Sequence, residues 1–362
     1  MWHAVTRRPL RTFNSVLNEH IDAALSALKP ADPTVYGRAE SFVSSLGPWS
    51  RVHIEDLAGH RSFVANDEWP LELSFAFARA GAKLRILTEE IAVGGDSLAG
   101  QRAGQRLLRR LAKEADVNID RYQAIEDLFF PPGAADSAGA FALMHAVELP
   151  LDGGSLLHKA YLNPEAAGES AGPTISAAMD RLGLAAAWAH VERAMAALSL
   201  PPRAREACIV ALDLSSDPEA RVKVYLRHSQ TTASDIDSIS SVAKNYIPGA
   251  FEEILHSTFG PSTESLKKAP MTALSFVPGH DCPTSATLYC PLYPNLPNDA
   301  AARDVLVPLL ARSDIAADAL EEVLRTVGGP TPGQGRRISW FGYKRPEDPV
   351  VTVYAGLRDP HQ

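Results

Sequence analysis

Five times along its 362 residues the chain repeats one pattern: two stretches of alternating apolar and polar residues joined by turn-forming residues. The pairs are Leu71 to Arg79 with Lys83 to Glu89, Ala140 to Leu149 with Ser155 to Asn163, Arg205 to Leu214 with Arg221 to His228, Met271 to Val277 with Ser285 to Leu292, and Arg336 to Lys344 with Val350 to Leu357. Period-two alternation bounded by Gly, Pro and Asp marks a β-hairpin. The joints fit: Ala80-Gly81, Asp152-Gly153-Gly154, Asp217-Pro218, Pro278-Gly279-His280-Asp281 and Pro346-Glu347-Asp348-Pro349. The pairs begin at residues 71, 140, 205, 271 and 336, so successive starts lie 69, 65, 66 and 65 positions apart. A period that regular is the mark of a repeat architecture.

Between the hairpins, Ser97 to Asp116, Ile175 to Leu198, Ile236 to Asn245 and Ala300 to Val327 carry apolar residues at spacings of three and four, the period of a helix buried on one face. The unit is helix, strand, strand, helix. Ten antiparallel strands avoid exposed edges most simply by closing on themselves. The predicted fold class is α+β, a ten-stranded antiparallel β-barrel surrounded by helices, with residues 1–362 as a single domain. The competing arrangement is an open sheet of five independent hairpins.

The composition suits such a barrel, with 46% hydrophobic and 22% charged residues. A formal charge of -8 sets the surface against nucleic acid and anionic membranes, so any anion site must be local. Cys208, Cys282 and Cys290 form no C-x-x-C pair, which argues against a disulfide framework and a zinc knuckle and favours a reducing compartment. Residues 1–13 carry Arg7, Arg8 and Arg11, but the polar, periodic Ser15 to Lys29 follows instead of an apolar signal core. No window approaches 18 consecutive apolar residues, the length a membrane helix needs. A cytoplasmic protein is expected, as monomer or weak homodimer, because a closed barrel needs no partner chain.

Successive strand residues face opposite sides, and the second strands divide cleanly. Val222, Val224 and Leu226 oppose Arg221, Lys223, Tyr225 and Arg227; Ala286, Leu288, Cys290 and Leu292 oppose Thr287, Tyr289 and Tyr293. Val351, Val353 and Ala355 oppose Thr352 and Tyr354; Ala160 and Leu162 oppose Lys159 and Tyr161; Leu84 and Ile86 oppose Lys83 and Arg85. Helices outside would cover the apolar lists and leave cations and tyrosines in the lumen. The polar positions of these strands include Arg85, Lys159, Arg221 and Lys223 but no carboxylate, whereas a solvated face mixes both signs. The expectation is a barrel that is wet and functional inside.

Converging cations repel unless an anion sits among them. A diphosphate is the natural guest, since each charge-assisted hydrogen bond contributes about 1.5 to 3 kcal/mol. With no Asp-Asp-x-x-Asp cluster and no Gly-rich phosphate loop, binding by side chains without a metal is the consistent reading. Rings facing a carbocation stabilise it by about 0.5 to 2 kcal/mol each, so Tyr161, Tyr225, Tyr289 and Tyr354 are candidates for a shield. A single strand tyrosine is ordinarily packing; only the set is informative. Glu72 shares the polar side of its strand with Ser74 and Ala76, opposite Leu71, Leu73, Phe75 and Phe77. A partly desolvated carboxylate there can accept a proton. Its alternative is a cross-hairpin salt bridge to Arg85 or Lys83, and the two roles are compatible.

The segments Pro70-Leu71-Glu72-Leu73-Ser74-Phe75, Lys159-Ala160-Tyr161, Arg221-Val222-Lys223-Val224-Tyr225 and Leu288-Tyr289 resemble those of the dimethylallyltryptophan synthase type of aromatic prenyltransferase, over nearly the whole chain. That family has the αββα barrel, and its bacterial members are compact like this chain. The resemblance implies metal-independent transfer of a dimethylallyl group from dimethylallyl diphosphate, a co-substrate, to an indole acceptor such as tryptophan or a derivative. By the same resemblance Glu72 is the acid that hydrogen-bonds the indole N–H. Arg85, Lys159, Arg221 and Lys223 are diphosphate ligands, and Tyr161, Tyr225, Tyr289 and Tyr354 the shield. Two departures stand out: Thr287 replaces a longer polar side chain, and no arginine clearly matches one that would grip an amino-acid carboxylate, although Arg203 and Arg205 lie nearby. A tyrosine, phenol, carbazole or cyclic dipeptide acceptor remains an alternative, as does a silent small-molecule-binding barrel.

Overall fold

The structure is a computed structural model describing residues 11–358, apart from 58–59, 93, 95–96, 116, 132–140, 169, 199, 201, 245, 328–333 and 345–347. Arg7, Arg8, the bounds Asp116, Ala140 and Asn245, and Pro346 and Glu347 of the last turn therefore lie outside the described residues. The ten strands are β1 (Leu71–Ala78), β2 (Gly81–Glu89), β3 (Leu143–Pro150), β4 (Leu157–Leu162), β5 (Glu206–Asp213), β6 (Val222–Arg227), β7 (Met271–Phe276), β8 (Ser285–Pro291), β9 (Ile338–Lys344) and β10 (Val350–Gly356). Each pairs antiparallel with its sequence neighbour, and β1 pairs with β10, Glu72 opposite Gly356, so the barrel is closed. The open-sheet alternative is excluded.

Parity decides what packs where. Leu71, Leu73, Phe75, Leu84, Ile86, Val222, Val224, Leu288, Val351 and Val353 have no measurable exposure and form one outer core with the helices. Burying each such side chain contributes about 1.5 to 3 kcal/mol, which holds the register: a slip of one residue would turn the core side into the lumen. Two bulges break the alternation. Cys208 is the extra residue of β5 against β6, and Ser339 the extra residue of β9 against β10.

The helices are α1 (Phe13–Leu28), α2 (Thr34–Ser45), α3 (Ser97–Glu114), α4 (Asp120–Gln123), α5 (Glu126–Phe129), α6 (Ala171–Arg181), α7 (Ala185–Ala197), α8 (Ala233–Ser240), α9 (Ala250–Phe259), α10 (Asp299–Arg312) and α11 (Asp318–Val327). Two stretches expected to be continuous are each split. Gly183 has φ +72°, and the Gly183 and Leu184 N–H groups donate to the Asp180 and Met179 carbonyls, a Schellman ending that separates α6 from α7. Asp314 has φ +57° and ends α10 in the same way, with the Ile315 N–H donating to the Leu310 carbonyl. An aspartate in that position gives no sequence warning comparable to a glycine.

Candidate active site

The hairpin geometry gives the barrel two unlike ends. All the hairpin turns lie at one, so the C-terminal halves of odd strands and the N-terminal halves of even strands meet there. Lys83 and Arg85 come from β2, Lys159 from β4, and Arg221 with Lys223 from the start of β6. They line a cavity of about 480 Å³ together with Thr287, Tyr289, Thr352 and Tyr354. The four predicted cations are thus brought together.

Carboxylates stand among them: the odd strands deliver Glu148 from β3 and Asp213 from β5. Glu148 binds Lys83 Nζ at 2.8 Å through Oε1, and Arg85 Nε at 2.7 Å and Lys159 Nζ at 3.5 Å through Oε2. Asp213 binds Arg221 Nε at 2.7 Å through Oδ2 and lies 3.8 Å from Lys159 Nζ through Oδ1. Burial opposes ionisation of both carboxyls, but Arg85, Lys159 and Lys83 around Glu148, and Lys159 and Arg221 around Asp213, more than offset it and hold both below the usual range. Burial lowers Lys159 to about 8 and draws Lys223 far down as well. Lys344, the last residue of β9, adds a further cation to the cavity. Strand parity applied to all ten strands finds all three missed residues.

Next along the axis is a belt of rings. Ring centroids are 6.3 Å apart for Tyr161 and Tyr225, 5.3 Å for Tyr225 and Tyr289, and 6.1 Å for Tyr289 and Tyr354. The hydroxyls of Tyr225 and Tyr289 lie 3.3 Å apart. Burial pushes the phenols of Tyr161, Tyr225 and Tyr354 up, so these rings stay neutral. The predicted set of four is contiguous, one ring from each of β4, β6, β8 and β10.

Beyond the belt, at the other end, stands Glu72, 4% exposed. Its cross-strand neighbour on β2 is Leu87 and not Arg85 or Lys83, both of which bind Glu148, so the anticipated salt bridge does not form. Its Oε1 accepts a 2.6 Å hydrogen bond from the Ser339 hydroxyl, which the bulge in β9 turns inward. Burial raises the carboxyl to about 8 against the opposing effects of Ser339 and Lys268. Lys268 lies 4.5 Å over the Trp340 ring and donates to Asn66 Oδ1 at 2.6 Å; burial lowers it to about 8. Arg227, paired with Glu206 at 3.3 Å, is the other cation acting on it. Lys268 and Ser339 were invisible from the sequence, one in a connection and one displaced by a bulge.

Among the described residues no cluster of metal-ligating side chains occurs and no helix is long and apolar enough to cross a membrane. The profile of the family described as tryptophan dimethylallyltransferase matches residues 39–255, more than half of the chain. Among solved structures, 6-dimethylallyltryptophan synthase from Micromonospora olivasterospora, in complex with DMASPP and Trp, superposes with TM-score 0.86 at 25% identity, covering 96% of this chain and 98% of its own. 5-Dimethylallyltryptophan synthase from Streptomyces coelicolor gives 0.85 at 25%, covering 98% and 99%. Prenyltransferase PriB, in a ternary complex with L-tryptophan and dimethylallyl thiolodiphosphate, gives 0.83 at 26%, covering 96% of each chain. With a shared profile and a shared closed barrel, this chain belongs to the tryptophan dimethylallyltransferase family of aromatic prenyltransferases.

Proposed function

We propose that the chain transfers the dimethylallyl group of dimethylallyl diphosphate to the indole of tryptophan or a tryptophan-derived compound. The observation that carries this reading is the order of groups along one lumen: a cluster of cations with their paired carboxylates, a belt of tyrosines, then the buried carboxyl of Glu72. Arg85, Lys159, Arg221, Lys223 and Lys344 hold the diphosphate and take up the charge released as the C–O bond to the allyl group breaks. They supply the charge stabilisation that a divalent ion would otherwise provide, so turnover is expected without one. Tyr161, Tyr225, Tyr289 and Tyr354 shelter the allyl cation from water. The indole carbon attacks in a Friedel-Crafts step, and the ring proton then passes to the Glu72 carboxylate.

Glu72, as carboxylate, accepts the indole N–H hydrogen bond, orients the ring and favours the charge developing on it. Lys268 and Arg227 give this end two cations for an acceptor carboxylate, in place of the Arg203 and Arg205 considered from sequence. Three free cysteines suit a reducing cytoplasm. The test is mass spectrometry of purified protein with dimethylallyl diphosphate, L-tryptophan and an indole panel in EDTA. A product heavier by one dimethylallyl unit is expected; no product with any acceptor refutes the proposal.

A further inference from the structure

The carboxylates among the cations need an explanation, because a site for a polyanion gains nothing in attraction from buried negative charge. Glu148 and Asp213 each have 7% side-chain exposure, and each of their four oxygens lies within 4 Å of a cation. Buried carboxylates persist only with such pairing. The pairing is also selective in geometry. Each carboxylate takes its arginine through Nε, and among the described residues no protein acceptor takes a hydrogen bond from Nη of Arg85 or Arg221. The two-pronged edge of each guanidinium is left for the cavity, the geometry that matches a phosphate.

Lys159 lies between the two carboxylates, which belong to the strands on either side of it. The cavity it lines also presents Lys29, the β2 residues Lys83 and Arg85, Arg221 and Lys223 at the start of β6, and Lys344 from β9, with the carboxylate of Asp152 in the β3–β4 turn. Tyr161, on its own strand, is neutral. A buried ammonium beside Arg85 and Arg221 would shed its proton without Glu148 and Asp213.

We propose that Glu148 and Asp213 are positioning residues of the donor site: they aim Arg85 and Arg221 through Nε and keep Lys159 charged before the diphosphate arrives. Burial and the neighbouring arginines lower Lys159 while Glu148 and Asp213 hold it at about 8. Lys223 has no carboxylate within 4 Å among the described residues, and burial with Arg221 and Lys159 draws it down against the opposing effect of Asp213.

This inference rests on reading the cation cluster as the diphosphate site, so the probe is inorganic diphosphate itself and the readout is a difference between variants. Affinity is measured calorimetrically on the full-length protein from about pH 6 to about pH 9, a range spanning the lysine's titration. The ligand's own ionisation is common to all the proteins compared. In the wild type the affinity falls on the alkaline side as Lys159 loses its proton. In Glu148→Gln and in Asp213→Asn that fall sets in about one pH unit lower, which is about fivefold weaker binding near pH 8 and approaches about tenfold by about pH 9. Glu148→Asp, which keeps the charge, restores the wild-type limb. A limb unmoved in both amide variants overturns the inference while leaving the diphosphate site intact. Tighter binding in either amide variant at every pH also overturns it, since the carboxylate would then only repel the ligand. Wild-type protein that binds no diphosphate refutes the site assignment and the inference together. Should Glu148→Gln fail to fold, Asp213→Asn and Glu148→Asp carry the same comparison.

Discussion

Replacing Glu72 with glutamine should depress turnover and stabilise the fold at once, and both magnitudes follow from its burial. The carboxyl sits at about 8 in the folded protein against 4.5 in its unperturbed state, so folding favours the protonated form. For an acid raised on folding, the contribution to stability is complete below about pH 4.5 and is lost as pH climbs toward 8. At 1.36 kcal/mol per pH unit the window is worth about 5 kcal/mol, of which about 3 has gone by pH 7. A neutral glutamine escapes that loss and keeps an oxygen for the Ser339 hydroxyl; the second amide hydrogen, if unpaired, costs about 1 kcal/mol or more. The variant should therefore melt higher than wild type near pH 8, with the gap closing toward pH 5. Removing a positioned base costs about 100-fold to 10,000-fold in rate. In the wild type, kcat/KM should rise toward pH 8 as Glu72 ionises and fall above it as Lys159 at the donor end loses its proton. The assay is a pH series of initial rates by product chromatography, beside thermal melts of both proteins at the same pH values. Wild-type turnover in the variant, or a melting gap that does not widen with pH, refutes the reasoning.

Arg221→Ala should raise the KM for dimethylallyl diphosphate at least tenfold, since it removes a charge-assisted ligand and the guanidinium hydrogen-bonded to Asp213; KM for tryptophan should change far less. Tyr289→Ala opens the centre of the ring belt, so the ratio of free dimethylallyl alcohol to prenylated product, read by gas chromatography, should rise several-fold, and an unchanged ratio would remove the shielding role. Lys268→Met should weaken tryptophan but spare an indole lacking the carboxylate, a split visible in the two KM values. His145, His158 and His228 are lowered by burial to about 3, 4 and 4, so each contributes stability that is complete above pH 6.5 and is lost as pH falls toward its own folded value. His158→Phe, beside the Phe42 ring, should lessen the acid loss of melting temperature relative to wild type.

The barrel was legible because strand alternation and turn chemistry are local signals, and five copies at one period leave little freedom in how they assemble. Lumen and outside followed from parity along strands such as β6, where Val222, Val224 and Leu226 could only face the helices. The helical breaks at Gly183 and Asp314 were less so, because a left-handed ending turns on one dihedral pair that a glycine advertises and an aspartate does not. Glu72, the cations and the ring belt were within reach for the same reason as the barrel: each sits on a regular strand whose parity is countable.

Sequence by itself thus determined the repeat and the polarity of each strand face, properties that depend on neighbours one or two residues away, while the pairing of β1 with β10 decided between a closed barrel and an open sheet. Tertiary structure alone decided which charges meet. Glu148 reaches Lys159 from the adjoining strand and Asp213 from the other side, while Ser339 reaches Glu72 across 267 positions through a bulge. Coulomb interactions and desolvation depend on distance in space and on what surrounds the charges. The same kind of side chain is therefore an ionised anchor among cations as Glu148 at one end of the barrel and a half-titrated acid near pH 8 as Glu72 at the other.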